Sequence, residues 1–258
     1  MGRAAEMTPV CGLVLSLFPG AGLMDFGFIK AGFCVVRGPD LLLGHDIRTF
    51  TLGGLEKSQP GEPGKSRFEG IIAGPPCQDF SRARRRPPSG HGIEMLHQVI
   101  RLITEAQPEW WLVENVPGVP TIRIEGYTTQ RFNMFASDFG MDHRRNRSFQ
   151  FGSKGEKLVI ARGRQSHLKL KPTPLASDYA RSRKRNFAAT CERMGLPRVF
   201  TLPGLSRAAK FRAVSNGVPV PMAEAVAIAI RDRQFTAASR LCPCDCGPPA
   251  HRETEERY

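Results

Sequence analysis

The chain has 258 residues, 41% of them hydrophobic, and carries 37 Lys+Arg against 24 Asp+Glu for a formal charge of +13. That is apolar material for one substantial domain with a small appendage, which excludes wholesale disorder, while the basic surplus points to a polyanionic partner such as nucleic acid. Seven cysteines, odd in number and mostly scattered, make no disulfide framework and fit a reducing cytoplasm, and the one N-terminal apolar run, residues 10–18, is too short to span a membrane.

In chain order, residues 10–18 read as a buried strand, Pro19-Gly20-Ala21-Gly22 as a tight turn, residues 23–31 as a helix stopped by Gly32, and residues 33–37 as a second strand. Strand, glycine turn, helix, strand is how a parallel α/β sheet begins. Residues 71–73 and 111–113 are two further short strands, running into Gly74-Pro75-Pro76 and Asn115-Val116-Pro117, with a helix over 95–106 between them. Residues 59–66 form a Gly/Pro-rich surface loop, and residues 222–233 a helix whose Ala and Ile side chains pack back on the sheet. Ligands of parallel sheets gather at the carboxyl ends of strands, and Gly20, Cys77 and Glu114 all follow strands.

The charge is unevenly spread. Residues 153–212 hold 15 basic and three acidic side chains, whereas 1–152 and 213–258 are close to neutral. The expected organisation is therefore a nearly neutral main part over 1–152, which holds the glycine turn and the strand-end residues, a basic second domain or insertion over 153–212, a return segment over 213–240 and a Cys-containing tail over 241–258.

The two glycines of Phe18-Pro19-Gly20-Ala21-Gly22 let backbone approach a bound nucleoside closely, although such a pair alone also describes an ordinary tight turn. In Gly74-Pro75-Pro76-Cys77-Gln78-Asp79-Phe80-Ser81, two prolines stiffen a loop that presents a cysteine, and Arg82, Arg84, Arg85 and Arg86 are close enough in sequence to lower its pKa. Taken singly, Cys77 reads equally as a buried structural cysteine. Glu114 follows the apolar Trp110-Trp111-Leu112-Val113, where burial raises a carboxyl pKa toward a usable acid; the other reading of a lone Glu is a cap or salt bridge.

These three motifs, followed by His143-Arg144-Arg145-Asn146-Arg147-Ser148-Phe149 and Ser215-Asn216-Gly217-Val218-Pro219, resemble in content and order the DNA cytosine methyltransferases that modify carbon 5, most of all the short forms of phages and prophages. The resemblance implies a Rossmann-like S-adenosylmethionine-dependent methyltransferase fold, mostly parallel with helices on both faces, plus a small target-recognition insert. It implies that Cys77 attacks carbon 6 of a flipped-out cytosine, that Glu114 acts at ring nitrogen 3, and that Arg147 with Arg145 helps hold the base. Phe18, Gly20, Gly22, Asp46, Pro76 and Asn216 match positions that contact S-adenosylmethionine, and Asp40 takes the ribose-binding role because Pro39 stands where the family carries an acid. His143 replaces the Gln that opens the arginine motif, Ser16 replaces an Asp before the glycine turn, and no counterpart of the motif before the last is evident in 200–212.

The family's recognition region lies between the last two motifs, where the basic surplus falls. Arg181, Arg183, Lys184 and Arg185, with Ser81 and Arg84 beside the cysteine loop, are the candidate contacts to double-stranded DNA. A cytoplasmic monomer of a restriction-modification type is expected. The alternatives are a tRNA cytosine-5 methyltransferase and a silent DNA-binding protein on the same scaffold. Cys242, Cys244 and Cys246 with His251 are either zinc ligands, at a spacing tighter than C-x2-C, or part of a disordered tail.

Overall fold

The computed structural model describes residues 11–53, 67–81, 84, 87–155, 157–160, 169–178 and 186–241. Strands β1 (Cys11–Leu17), β2 (Phe33–Arg37), β3 (Gly70–Ala73) and β4 (Trp110–Asn115) pair in parallel. Their near-continuous apolar sequences suit strands covered on both faces. Helix α1 (Leu23–Lys30) connects β1 to β2, and α2 (His91–Ala106) connects β3 to β4. β5 (Thr128–Phe135) and β6 (Asn146–Ser153) then complete a six-stranded sheet of order β2-β1-β3-β4-β6-β5, both β4–β6 and β6–β5 being antiparallel. The chain leaves β1 toward β2 and later returns to its other side as β3, so the order reverses between β1 and β3. A crevice forms at such a point, outside the carboxyl ends of the strands.

Alternation along each strand builds two cores. Val14, Ile72, Trp110, Leu112, Phe149 and Phe151 face α1 and the last helix, α5 (Val220–Leu241), while Leu15, Ile71, Trp111 and Val113 face α2. The consecutive tryptophans need glycine opposite them: Gly70 pairs with Trp110 and Gly152 with Trp111, and a Cβ at either glycine would overlap the indole. α1 approaches α5 so closely that a Cβ on Gly27 would lie 2.5 Å from that of Ala223.

Two short helices, α3 (Phe187–Glu192) and α4 (Arg207–Asn216), join Ala21, Leu23 and Val220 through Cys191, Met194, Leu196 and Val214, which places the end of α4 over the glycine turn. The boundary expected at residue 212 falls inside α4. Among the described residues one stretch, Arg207–Arg233, has the length and apolar content to cross a membrane. It is divided at residues 217–219, and its Phe211, Val214, Met222, Val226 and Ile230 are fully buried in the fold, which makes it core.

Candidate active site

The turn after β1 is held in a backbone shape that glycine favours, with φ of 55° at Phe18, 54° at Gly20 and 78° at Gly22. Phe18 N–H donates to Pro39 O at 3.1 Å, and Gly20 N–H donates to Asp40 Oδ2 at 2.8 Å, so the end of β2 fixes the turn. Beneath it, Ser16 Oγ donates to Asp25 Oδ1 at 2.6 Å and Arg37 Nε to Asp25 Oδ2 at 2.8 Å. Burial raises the pKa of Asp25, and Ser16 and Arg37 pull it back. Ser16, a departure in the sequence, is thus a partner of a buried acid in the first turn of α1.

The loop after β3 is anchored on both sides of Cys77. Asn115 Nδ2 donates to Pro75 O at 3.1 Å, and the Asp79 carboxylate accepts from Ser89 N–H at 2.9 Å and Gly92 N–H at 2.8 Å, capping α2, which has no cap of its own. Backbone bonds from Ser89 and Gly92 hold the Asp79 carboxyl below the usual range. A Cβ built on Gly74 would lie 3.7 Å from both Glu114 Oε2 and Phe18 O, so three strand ends meet there.

Cys77, Glu114 and Arg147 line one cavity of about 570 Å³, which also takes in Phe18, Gly20, Asp40, Asp46, Pro76 and Asn216. Arg147 Nε pairs with Glu114 Oε1 at 2.7 Å, each side chain only 11% exposed. Burial pushes the Glu114 carboxyl up, as its strand end predicts, while Arg147 and then Arg145 oppose the rise. The Cys77 thiol is pushed up too, by burial first, with Arg147 and Arg145 pulling it down and Glu114 pushing it up. Among the described residues the cations that act on it are Arg147 on β6 and Arg145 just before it; of the expected cluster, Arg84 donates to Asp79 O at 3.2 Å, and Arg82, Arg85 and Arg86 lie outside the described residues.

The other expected site residues are placed on and around the cavity. Arg145 does not line the cavity; 5% exposed, it donates to Asn216 O at 2.9 Å and Pro174 O at 3.4 Å, and burial beside Arg147 lowers its pKa to about 9. It ties the entry to β6 to the end of α4. Gly22 lies off the cavity, where a Cβ would overlap the Arg37 guanidinium. Asp40 lines the cavity with its carboxylate already accepting from Gly20 and Leu42, and Asp46 is held by a forked pair with Arg48, 2.6 Å at the shortest. His143 Nε2 meets Arg193 O at 2.8 Å, joining the arginine motif to the insert, where Asp142 pairs with Arg193 and Lys171. Ser81 is half-buried and Arg84 exposed, both off the cavity. Unanticipated in the lining are Leu41, Leu42, His91, Met95 and Arg212. Only Leu41 and Leu42 had a signal, an apolar triplet placed just after a strand end.

Arg181, Arg183, Lys184 and Arg185, and Cys242, Cys244, Cys246 and His251, lie outside the described residues; so does the 59–66 loop. Among the described residues no three His, Cys, Asp or Glu side chains are placed to hold a metal ion.

A glycine turn, a loop cysteine and a strand-end Glu–Arg pair opening on one cavity at the reversal of a mostly parallel sheet narrow the families to be compared. The C-5 cytosine-specific DNA methylase model matches residues 45–185, more than half of the chain. The chain belongs to this family. Among the curated relatives it resembles are the type II methyltransferases M.FnuDI of Fusobacterium nucleatum, 30% identical over 171 residues, and M.NgoPII of Neisseria gonorrhoeae, 29% identical over 161. Each match covers 54% of this chain, and 46% and 47% of the relative, so the chain spans about half the length of the curated relatives it matches. A putative DNA modification methyltransferase encoded within a prophage of E. coli superposes with a TM-score of 0.62 at 17% identity, covering 87% of this chain and all of that one. The fold is thus the S-adenosylmethionine-dependent methyltransferase fold that the motif order implies.

Proposed function

We propose that this methylase transfers a methyl group from S-adenosylmethionine to carbon 5 of cytosine in DNA, through a covalent bond between Cys77 Sγ and carbon 6. The observation that carries the proposal is the convergence of Cys77, Glu114 and Arg147 on one cavity with the glycine turn.

The residues present fit the cofactor. The space above Gly20 is open to 4 Å, the Asp40 carboxylate stands beside it with lone pairs free for hydroxyl donors, and about 570 Å³ lies in the range of small-molecule sites. Phe18, Gly20, Asp40, Asp46, Pro76 and Asn216 would hold it, and once bound it supplies the electrophilic methyl group. Cys77 gives up its proton to water, and the thiolate sulfur forms a bond to carbon 6 of the flipped base. The displaced electron pair is accepted at the ring as Glu114 donates its proton toward nitrogen 3, which leaves carbon 5 nucleophilic. Burial favours the protonated carboxyl that this step needs, and Arg147 fixes its direction. After methylation, loss of the carbon 5 proton to water restores the ring double bond and breaks the sulfur–carbon bond, releasing the Cys77 thiolate, while nitrogen 3 returns its proton to Glu114.

Residues 153–212 are proposed as the DNA-contacting region, with phosphates neutralised by its basic side chains. The test is methyl transfer measured side by side on duplex DNA and on tRNA. The proposal expects label in the duplex alone; label in the RNA alone would overturn the choice of substrate.

A further inference from the structure

Residues 116–122, Val-Pro-Gly-Val-Pro-Thr-Ile, run directly on from Glu114 and Asn115. Backbone carbonyls in such a loop have few partners of their own, and here side chains from the antiparallel β5–β6 pair supply them. Arg131 on the edge strand β5 donates through Nη2 to Pro117 O at 2.5 Å, through Nη1 to Thr121 Oγ1 at 3.3 Å and through Nε to Ser148 Oγ at 3.2 Å. Gln150, its partner in register on β6 and fully buried, donates to Pro120 O at 2.8 Å and accepts from Ile122 N–H at 2.7 Å. One amide and one guanidinium thus hold the loop at four points.

The opposite side of the loop leans on the nucleophile's turn. Gly118 lies so close to Phe80 that a Cβ there would overlap the Phe80 carbonyl, and Phe80 ends the single helical turn Gln78–Phe80 that starts at Cys77. Ser148, which accepts from Arg131, is next to Arg147 on β6, and Arg147 holds Glu114. The loop therefore fills the space between the strand that carries the arginine and the turn that carries the thiol.

We infer that Arg131 and Gln150 are positioning residues that press the 116–122 loop against the Cys77 turn and so set the geometry between thiol, acid and arginine. Neither side chain lines the cavity. Releasing the loop withdraws the backing of the Cys77 turn, which admits water to the thiol and misplaces it for attack; small displacements of reacting groups are costly in rate. The inference rests on the proposed methyl transfer for its effect on turnover, but not for its effect on the thiol.

The experiment uses Arg131→Met and, pressing from the other side, Gly118→Ala, each compared with the unaltered chain. Alkylation by iodoacetamide is followed at Cys77 and at the fully buried Cys191 by peptide mass spectrometry, with kcat and the KM for S-adenosylmethionine measured in parallel. The expected result is a rise of about fivefold in Cys77 alkylation with Cys191 unchanged, and a fall of about tenfold in kcat with KM within about twofold. Parallel rises at Cys77 and Cys191 would mean general loosening and overturn the inference, as would an unaltered Cys77 rate in both variants. If the unaltered chain transfers no methyl group, the proposed function falls, and the ratio of the two cysteine rates still decides the positioning role.

Discussion

Cys77→Ser should lower methyl transfer to duplex DNA by at least about 10⁴-fold while leaving binding of S-adenosylmethionine within about twofold. A serine hydroxyl fits the same half-buried place on the Gln78–Phe80 turn, so the anchoring by Asn115 on one side and Asp79 on the other survives. What is lost is the thiolate. A hydroxyl is far less acidic than a thiol, and burial already disfavours the charged form at this position, so Arg147 and Arg145 cannot rescue an alkoxide. Single-turnover methylation with radiolabelled cofactor reads the chemical step, and equilibrium dialysis reads binding.

Arg147→Met should lower kcat by about 10²- to 10³-fold and should also weaken the fold in a pH-dependent way. The Arg147–Glu114 pair is buried, and removing one partner leaves the other charge uncompensated, a loss of about 3–5 kcal/mol near neutral pH. The sign follows from the carboxyl. Its folded pKa is already raised by burial, and removing the stronger of the two opposing charges raises it further. Below the unfolded value of about 4.3 both states are protonated and nothing is lost. As pH rises above the unfolded value, the unfolded chain ionises while the folded one resists, and stability drains away. The gap in Tm between Arg147→Met and the unaltered chain should therefore narrow from pH 7 toward pH 4. The Cys77 thiol should titrate higher in the variant, since Arg147 is the chief charge pulling it down.

Much of the first half of the chain could be read in advance because parallel strands buried on both faces are written as continuous apolar runs. β1, β2, β3 and α1 stand within one residue of their expected limits, and β4 contains the expected 111–113. β5 and β6 escaped notice for the opposite reason. Thr128–Phe135 is an edge strand with polar side chains, and Asn146–Ser153 sets Phe149 and Phe151 against Ser148 and Gln150, an alternation whose polar members are buried under the 116–122 loop.

In the cavity, residues following strands were legible because strand ends are where a parallel sheet presents ligands, which is how Cys77 and Glu114 could be named. Long-range partnerships were not. Ser16 with Asp25, Arg145 with Asn216 and Arg131 with the 116–122 loop each join segments that only folding brings together. Proximity in sequence was also a partial guide: Arg84 stands near Cys77 in the chain but bonds Asp79 O, and the described cations that act on the thiol lie 68 and 70 positions on, at Arg145 and Arg147.

The most direct measurement is denaturing mass analysis of the chain incubated with S-adenosylmethionine and a duplex containing 5-fluorocytosine, whose fluorine cannot leave carbon 5 as a proton does. Attack by Cys77 followed by methylation predicts a stable protein–DNA adduct that maps to Cys77 and vanishes in Cys77→Ser. Tight binding of the duplex and cofactor with no adduct, or an adduct that persists in Cys77→Ser, would contradict it.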